Sequence, residues 1–274
     1  NNRRALGILA TTADGKQYYE LDKEMNLIAK EDTETAEYIE DKFAVPSDVI
    51  NIEENSVLIV DQEGRRWRLP LGDERYKEKI EKAELRICRE VSTERDLFSC
   101  FGTFYELPAE NADGFAKIRP VSSHKFAIND YASYRGMMML TGIEHAKAIG
   151  NPHIVISEDG KAAVWAGAID DLWKLGKPVG HGGPWLETEV KAREKSDPFL
   201  IGFYDKREMT LSHAASSEVV FTVEVDPTGD GQWFKYADFE VKPGASFKHM
   251  FPKAFQARWI RVSTIVGTKA TVSF

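Results

Sequence analysis

Short apolar runs alternating with polar residues dominate the first two-thirds of the chain. In three segments an apolar strand leads into an acidic residue, a glycine and a second strand: Leu9–Leu21, Leu58–Leu69 and Ile154–Trp165. A period of two residues indicates β-strands, and acidic-glycine pairs between strands indicate tight turns. The pattern therefore predicts three β-hairpins with an acidic residue and a glycine at each tip.

Two of these tips, Asp14-Gly15 and Asp159-Gly160, suit a type I′ turn. Such a turn needs positive φ at both central residues and matches the twist of the flanking strands. Segment 101–108 repeats the second strand of the hairpin without the acidic turn.

The glycines of the four segments are spaced by 49, 38 and 58 residues. Periods of roughly 40–50 residues with paired strands are typical of β-propeller blades. A complete ring takes about four to eight blades, and the chain before residue 175 supplies about four. We therefore expect β-propeller-like repeated blades, either as part of a larger ring or as a small or open arrangement. Residues 35–41 and 73–82 have helical composition and are expected to be short connectors.

The pattern changes after a glycine- and proline-rich stretch at 176–198. Evenly spaced strands separated by turns follow to the C-terminus, which is typical of an antiparallel β-sandwich. The sequence thus predicts an all-β protein with a propeller-like domain at 1–195 and a C-terminal β-sandwich at 196–274.

The composition and net charge of the chain limit which classes of partner it is expected to bind. The net charge is −8, and an acidic chain lacks the basic surface that nucleic acid binding needs. No run of 18 apolar residues exists, so no membrane span is expected, and the oligomeric state is left open. The two cysteines, Cys88 and Cys100, are expected to be buried free thiols, with a disulfide between neighbouring strands as the alternative.

Segment 120–136 concentrates groups that could carry chemistry. A histidine, a tyrosine and an arginine together can remove a proton, donate one and neutralise a carboxylate, which suits elimination from a uronic acid. We assign His124 as base, Tyr134 as acid (with Tyr131 as its alternative) and Arg135 or Arg95 as the partner of the carboxylate. The competing interpretation gives His124 a structural role and makes the loop around Arg95 a plain set of salt bridges.

Further residues are expected to bind substrate beside this set. They are Arg95, Asp130, Tyr131, Asp170, Asp171, Trp173, His181 and Trp185. The tryptophans and His181 would form a stacking platform for a sugar ring. In the competing interpretation an aspartate at 170 or 171 caps a short helical turn and the tryptophan rings cover the domain junction.

No metal or cofactor is expected. The histidines show no metal-ligand spacing, and nucleotide-binding and hydrolase motifs are absent. Asp226–Trp233 resembles the start of a calcium loop, but no distal glutamate follows, so a hairpin turn is the preferred interpretation.

Several stretches resemble the C-terminal half of large β-propeller proteins from polysaccharide-degrading bacteria of the Bacteroidetes type. The resemblance covers about residues 50–274 and is carried by RRWRLPLGDERY, the stretch from REVSTERDLFSCFGTFYELP to KIRP, HKFAINDYASYRGMMMLTGI, AAVWAGAIDDLWKLGKPVGHGGPW and ARWIRVSTIVGTKATVSF. It implies a secreted or periplasmic protein related to polysaccharide lyases and glycoside hydrolases, but it supplies no catalytic motif.

These observations favour a secreted carbohydrate-active protein that binds an oligosaccharide or polysaccharide. The preferred hypothesis is a lyase or glycoside hydrolase acting on an acidic, uronate-containing polysaccharide. The alternative is a carbohydrate-binding or structural protein without catalysis.

Overall fold

The computed structural model describes residues 5–42, 50–72, 87–90, 95–109, 112–124, 128, 130–143 and 150–274. Of the described residues, 47% are in strands and 8% in helices, which confirms the all-β class. In chain order the elements are β1 (Leu6–Thr12), β2 (Gly15–Leu21), β3 (Leu27–Lys30), α1 (Thr33–Lys42), β4 (Ile50–Ile52), β5 (Val57–Val60), β6 (Arg66–Leu69), β7 (Ile87–Glu90), β8 (Arg95–Cys100), β9 (Thr103–Glu106), a 3₁₀ helix (Gly114–Lys117), β10 (Arg119–Ser123), β11 (Tyr131–Tyr134), β12 (Met137–Leu140), β13 (Ile154–Ile156), β14 (Ala163–Gly167), a second 3₁₀ helix (Ile169–Lys174), β15 (Trp185–Val190), β16 (Phe199–Leu200), β17 (Glu208–His213), β18 (Val219–Asp226), β19 (Phe234–Val241), β20 (Phe247–Met250), β21 (Trp259–Thr264) and β22 (Thr268–Ser273).

The chain forms two compact units. The first comprises the described residues within 1–46, 75–106 and 121–176, and the second those within 47–74, 107–120 and 177–274. Two early segments thus belong to the same unit as the C-terminal strands. The sequence-based division at residue 195 stays a prediction.

The first unit contains three small antiparallel sheets. Their strand orders are β1-β2-β3, β10-β9-β8-β7 and β11-β12-β14-β13. Tyr19, Leu21 and Val164 lie in one buried apolar cluster, and Phe104 and Trp165 lie in another. No described sheet closes into a barrel, and the propeller arrangement stays a prediction.

The three predicted hairpins are present as β1–β2, β5–β6 and β13–β14. The predicted type I′ turns are wrong at both Asp-Gly tips, because only the glycines have positive φ (112° at Gly15 and 72° at Gly160). Two consecutive positive φ values occur instead at Phe101-Gly102 (48° and 81°) and Arg135-Gly136 (52° and 80°). At the acidic tips the glycine therefore follows the turn, as in a turn closed by a glycine bulge.

The connector predicted at 35–41 is helix α1, and Asp32 precedes it as a cap. Its carboxylate accepts a hydrogen bond from the backbone N–H of Thr35 at 2.9 Å, which satisfies a free donor of the first turn. The connector predicted at 73–82 lies outside the described residues. Cys100 is a buried free thiol, as predicted, whereas the side chain of Cys88 is not among those described.

The second unit contains two sheets, with strand orders β19-β18-β21-β16-β6-β5-β4 and β15-β22-β17-β20. Both contribute to one apolar core: Phe221 and Ile260 come from the first sheet, and Leu211 and Val272 from the second. Two sheets that share a core in this way have the layered arrangement of a β-sandwich.

The seven-stranded sheet is not wholly antiparallel, in contrast to the prediction. Strand β16 pairs antiparallel with β21 but parallel with β6. Hairpin β5–β6, which we expected to form a separate blade, is thereby part of the same sheet as the C-terminal strands.

Candidate functional site

The structure places the predicted acid and base of the elimination reaction in buried positions. His124 is 4% exposed and its ring lies 4.9 Å from that of Phe104. Tyr134 is 3% exposed and lies in an apolar cluster of the first unit. Side chains so enclosed suit a structural role better than contact with a sugar, although the catalytic assignments stay predictions.

Tyr131 and Asp130 both hold neighbouring backbone in place. The Tyr131 hydroxyl donates to the carbonyl of Leu97 at 2.6 Å and accepts from the N–H of Ser99 at 3.2 Å. The Asp130 carboxylate accepts from the N–H of Tyr131 at 2.7 Å. These contacts connect β11 with β8 and fix the start of β11.

The two arginines predicted to face a carboxylate are on different elements. Arg135 occupies the exposed tip of hairpin β11–β12, at a turn position with positive φ. Arg95 begins β8 and pairs with Glu90, and its side chain is not among those described.

Asp170 and Asp171 lie in the second 3₁₀ helix. The Asp171 carboxylate accepts from the N–H of Ala168 at 2.9 Å and from the Lys174 ammonium at 2.5 Å, and these bonds lower the pKa of Asp171. The capping interpretation is therefore confirmed for Asp171. Asp170 is exposed, and Trp173 is 46% exposed.

His181 and Trp185 belong to the second unit and differ in environment. Trp185 is 6% exposed and packs in the sandwich core, so its ring faces do not form an open platform. His181 is exposed, and its backbone forms an isolated two-residue bridge with Leu71 (N···O 2.9 Å in each direction).

His181 lines a cleft of about 300 Å³ in the second unit. This apolar cleft is formed by segments 177–181, 199–201 and 204–208 together with Pro70 and Phe274. Phe274 stacks on buried Phe199 with ring centroids 5.1 Å apart. An apolar floor with a few polar groups at its rim is the usual form of a small-molecule site.

The charged side chains at the rim of the apolar cleft differ in whether they have an ion-pair partner. Asp205 accepts a hydrogen bond from Lys177, which lowers the pKa of the carboxyl and raises that of the ammonium group. Glu208 lies 3.4 Å from the ammonium of Lys248. Both carboxylates that line the cleft therefore already have a lysine partner.

Arg207 also lines the cleft and is only half-exposed. Its guanidinium carbon lies 5.3 Å from the centre of the Phe255 ring, and burial lowers the pKa of the group. Within the described part of the chain, no side chain or carbonyl accepts a hydrogen bond from this guanidinium. The cleft thus contains a partly desolvated cation. Asp205 attracts this cation electrostatically, but the hydrogen bond that the Asp205 carboxylate accepts comes from Lys177.

Sequence reasoning missed Arg207, Lys177 and Phe274. The charged run Asp205–Glu208 between two apolar segments was a visible signal, but such runs are usually solvated faces. Only the fold brings this run to the loop that carries His181.

The described residues contain no group of three or more His, Cys, Asp or Glu side chains arranged to hold a metal ion. The Asp226 carboxylate is surrounded by backbone N–H groups of its own hairpin, including those of Gly229 (2.8 Å) and Gly231 (2.7 Å). The predicted hairpin turn is present between β18 and β19. None of the helices in the described ranges has the length and apolar character to cross a bilayer.

No protein-family model matches the chain, and no curated protein matches it at a significant level. Among solved structures, the chain is similar to one titled "Glycoside hydrolase" at 11% identity, covering 99% of this chain and 81% of that chain with a TM-score of 0.21. It is also similar to the V. cholerae biofilm matrix protein Bap1 at 9% identity, covering 99% of this chain and 56% of that chain with a TM-score of 0.17. TM-scores this low establish neither a shared fold nor a shared function.

Proposed function

We propose that the second unit binds uronate residues of an acidic polysaccharide in the apolar cleft. The observation that carries this proposal is the half-buried Arg207 guanidinium, which has no acceptor among the described residues while the lining carboxylates are paired with lysines. A desolvated cation gains most from a ligand that supplies an anionic acceptor.

The remaining walls suit a pyranose ring. The C–H face of the sugar would lie against Phe274 and Val179, while the uronate carboxylate would accept from Arg207. His181 lines the same cleft, and its exposed imidazole offers a polar group to the hydroxyls of the sugar. A ligand of this kind fits the secreted or periplasmic location expected from the sequence.

Binding without catalysis is the function that the geometry favours over uronate elimination. A lyase centre at His124 and Tyr134 would require a polysaccharide to reach side chains that are 4% and 3% exposed. The second proposal is therefore lyase or glycoside hydrolase activity, with its active residues carried by a propeller arrangement. The appearance of unsaturated products or new reducing ends distinguishes it from binding alone.

The proposal is tested by calorimetric titration with oligogalacturonate and with its fully methyl-esterified form. The ester keeps the ring and removes the charge, so the wild-type protein should bind the free acid and bind the ester far more weakly. Arg207→Gln should weaken binding of the acid by roughly 10- to 100-fold, since hydrogen bonds to charged groups are worth about 1.5–3 kcal/mol.

Lys253→Gln is the matched control because it removes one positive charge from an exposed position of the same unit outside the cleft. It should leave affinity within about twofold once salt screens long-range attraction. Equal binding of acid and ester, or equal losses in the two variants, would show that no uronate is recognised here.

A further inference from the structure

A second cleft in the same unit has the opposite character. This polar cleft has a volume of about 480 Å³ and is formed by segments 53–55, 183–186, 188–190 and 194–197 with Arg66 and Arg68. Most of its lining consists of charged and hydrogen-bonding side chains. Its donors and acceptors are therefore the features that decide what it can bind.

Arg68 forms the floor of the polar cleft and is only 8% exposed. Its Nε donates to Asp197 at 2.8 Å, and its Nη1 donates to Glu53 at 2.5 Å and to the buried hydroxyl of Ser56 at 2.7 Å. Arg66 lies on the same face of β6 and donates to the same Asp197 carboxylate through Nε (2.9 Å) and Nη2 (3.2 Å). The two guanidinium groups thus hold Asp197 between them.

This network leaves hydrogen-bond donors unused. A guanidinium carries five N–H donors, and among the described residues nothing accepts from Nη2 of Arg68 or Nη1 of Arg66. Donors fixed by this ion-pair network are held in place before any ligand binds, which lowers the entropy lost on binding.

The charges around these donors disfavour an anion. Arg66 and Arg68 are balanced by Asp197 and Glu53, and Lys195 is paired with Glu224 at 2.6 Å. Three further carboxylates, Glu54, Glu189 and Glu194, line the cleft without an ion pair of 4 Å or less in the described part of the chain. Glu189 is attracted at longer range by Lys269, and Glu194 accepts a hydrogen bond from the backbone N–H of Lys191 at 3.1 Å. The cleft therefore offers N–H donors and carboxylate acceptors together, with an excess of negative charge.

Strand β15 is irregular where it borders the polar cleft. Its register with β22 shifts between Trp185 and Thr188, and Glu187 has a φ of 46°. A bulge with a non-glycine residue at positive φ stores strain, and such strain concentrates at binding sites. Here it accompanies an apolar side chain, Leu186, that lines the cleft and is 39% exposed.

We propose that the polar cleft binds a neutral hexopyranose unit of a glycan. The free N–H groups of Arg66 and Arg68 donate to hydroxyl or ring oxygens of the sugar, and Glu54 and Glu189 accept from its hydroxyl groups. Leu186 contacts the C–H face of the ring. This site does not depend on the uronate site, because it uses other residues and a ligand without charge.

The test uses ¹⁵N-resolved NMR titration with cellohexaose and mannohexaose as neutral probes. Addition of at least one of them should shift the backbone amide resonances of 186–189. Arg66→Gln and Leu186→Ser, which alter exposed side chains and leave Arg68 in place, should each weaken binding at least about tenfold. Arg193→Gln is the control, because Arg193 is an exposed arginine outside both clefts.

Three results would overturn the inference. The first is the absence of any shift at 186–189 with either neutral probe at millimolar concentration. The second is a response of the same resonances to Ca²⁺ alone, which would make the carboxylates a cation site. The third is a loss of oligogalacturonate binding, but not of neutral-probe binding, in Arg66→Gln. If the polar cleft binds no neutral sugar, Arg207→Gln should still weaken binding of oligogalacturonate at the apolar cleft. The two proposals can therefore be refuted separately.

Discussion

Replacing Trp259 by phenylalanine tests how the second unit holds the segment 107–120. Trp259 is fully buried at the start of β21, and its indole N–H donates to the backbone carbonyl of buried Ala116 at 2.8 Å. The Trp67 ring lies beside it, with centroids 4.8 Å apart. The substitution keeps an aromatic ring in place but removes the donor.

Two contributions set the expected loss of stability. Leaving a buried carbonyl without its donor costs about 1–3 kcal/mol. Complete truncation of a buried tryptophan costs about 3–5 kcal/mol, so the smaller void left by phenylalanine contributes about 1 kcal/mol. Trp259→Phe should therefore lower the free energy of unfolding of the second unit by about 2–4 kcal/mol.

Urea unfolding followed by circular dichroism measures this loss. The dependence of the free energy of unfolding on urea concentration should have the same slope in all variants. Trp233→Phe is the matched control, because Trp233 is half-exposed beneath the Arg261 guanidinium at 4.2 Å and phenylalanine retains a ring face there. Its loss should stay below about 1 kcal/mol. If the two variants lose similar amounts, the contact of Trp259 with Ala116 does not stabilise the unit as we reason.

Two further predictions concern the buried His124 and the half-buried His249. His124→Ala should lower the free energy of unfolding of the first unit by roughly 2–4 kcal/mol, because it empties a packed site beside Phe104; a variant with unchanged thermal stability and abolished turnover would instead support His124 as a catalytic base. His249 lies among Tyr236, Phe239 and Phe251, and burial lowers its pKa below the ordinary value. Because the pKa of His249 is lower in the folded state, the unfolded chain binds the proton more readily. The packing of neutral His249 therefore contributes its full stability above a pH of about 6.5, and this stability is lost as the pH falls towards the folded-state pKa. Urea unfolding from pH 7.5 to about 5 should show a steeper loss of stability for the wild type than for His249→Gln, and parallel curves would contradict this account.

The candidate sites show which inferences needed the folded chain. His181 was expected to contact a ligand because it lies on a glycine-rich loop, and it does line the apolar cleft. Trp185 was expected beside it on the same loop, but it begins strand β15, in which only Trp185 and Val190 are buried, and its own position faces the core. Burial of a side chain on a strand depends on which face the opposite sheet covers, and the alternation of residues does not reveal that choice.

Local chemistry in the sequence by itself determined the strands of three hairpins and the positions of their turns, but not the type of turn at the Asp-Gly tips. Apolar alternation and acidic-glycine tips specified hairpins β1–β2, β5–β6 and β13–β14, because strand period and tight-turn preference act over a few neighbouring residues. Only the tertiary structure decided that β6 pairs parallel with β16, that Arg207 meets the loop of His181, and that Arg66 and Arg68 share Asp197. These partners lie far apart along the chain, and such pairings are selected by the burial of whole sheet faces rather than by any short stretch of residues.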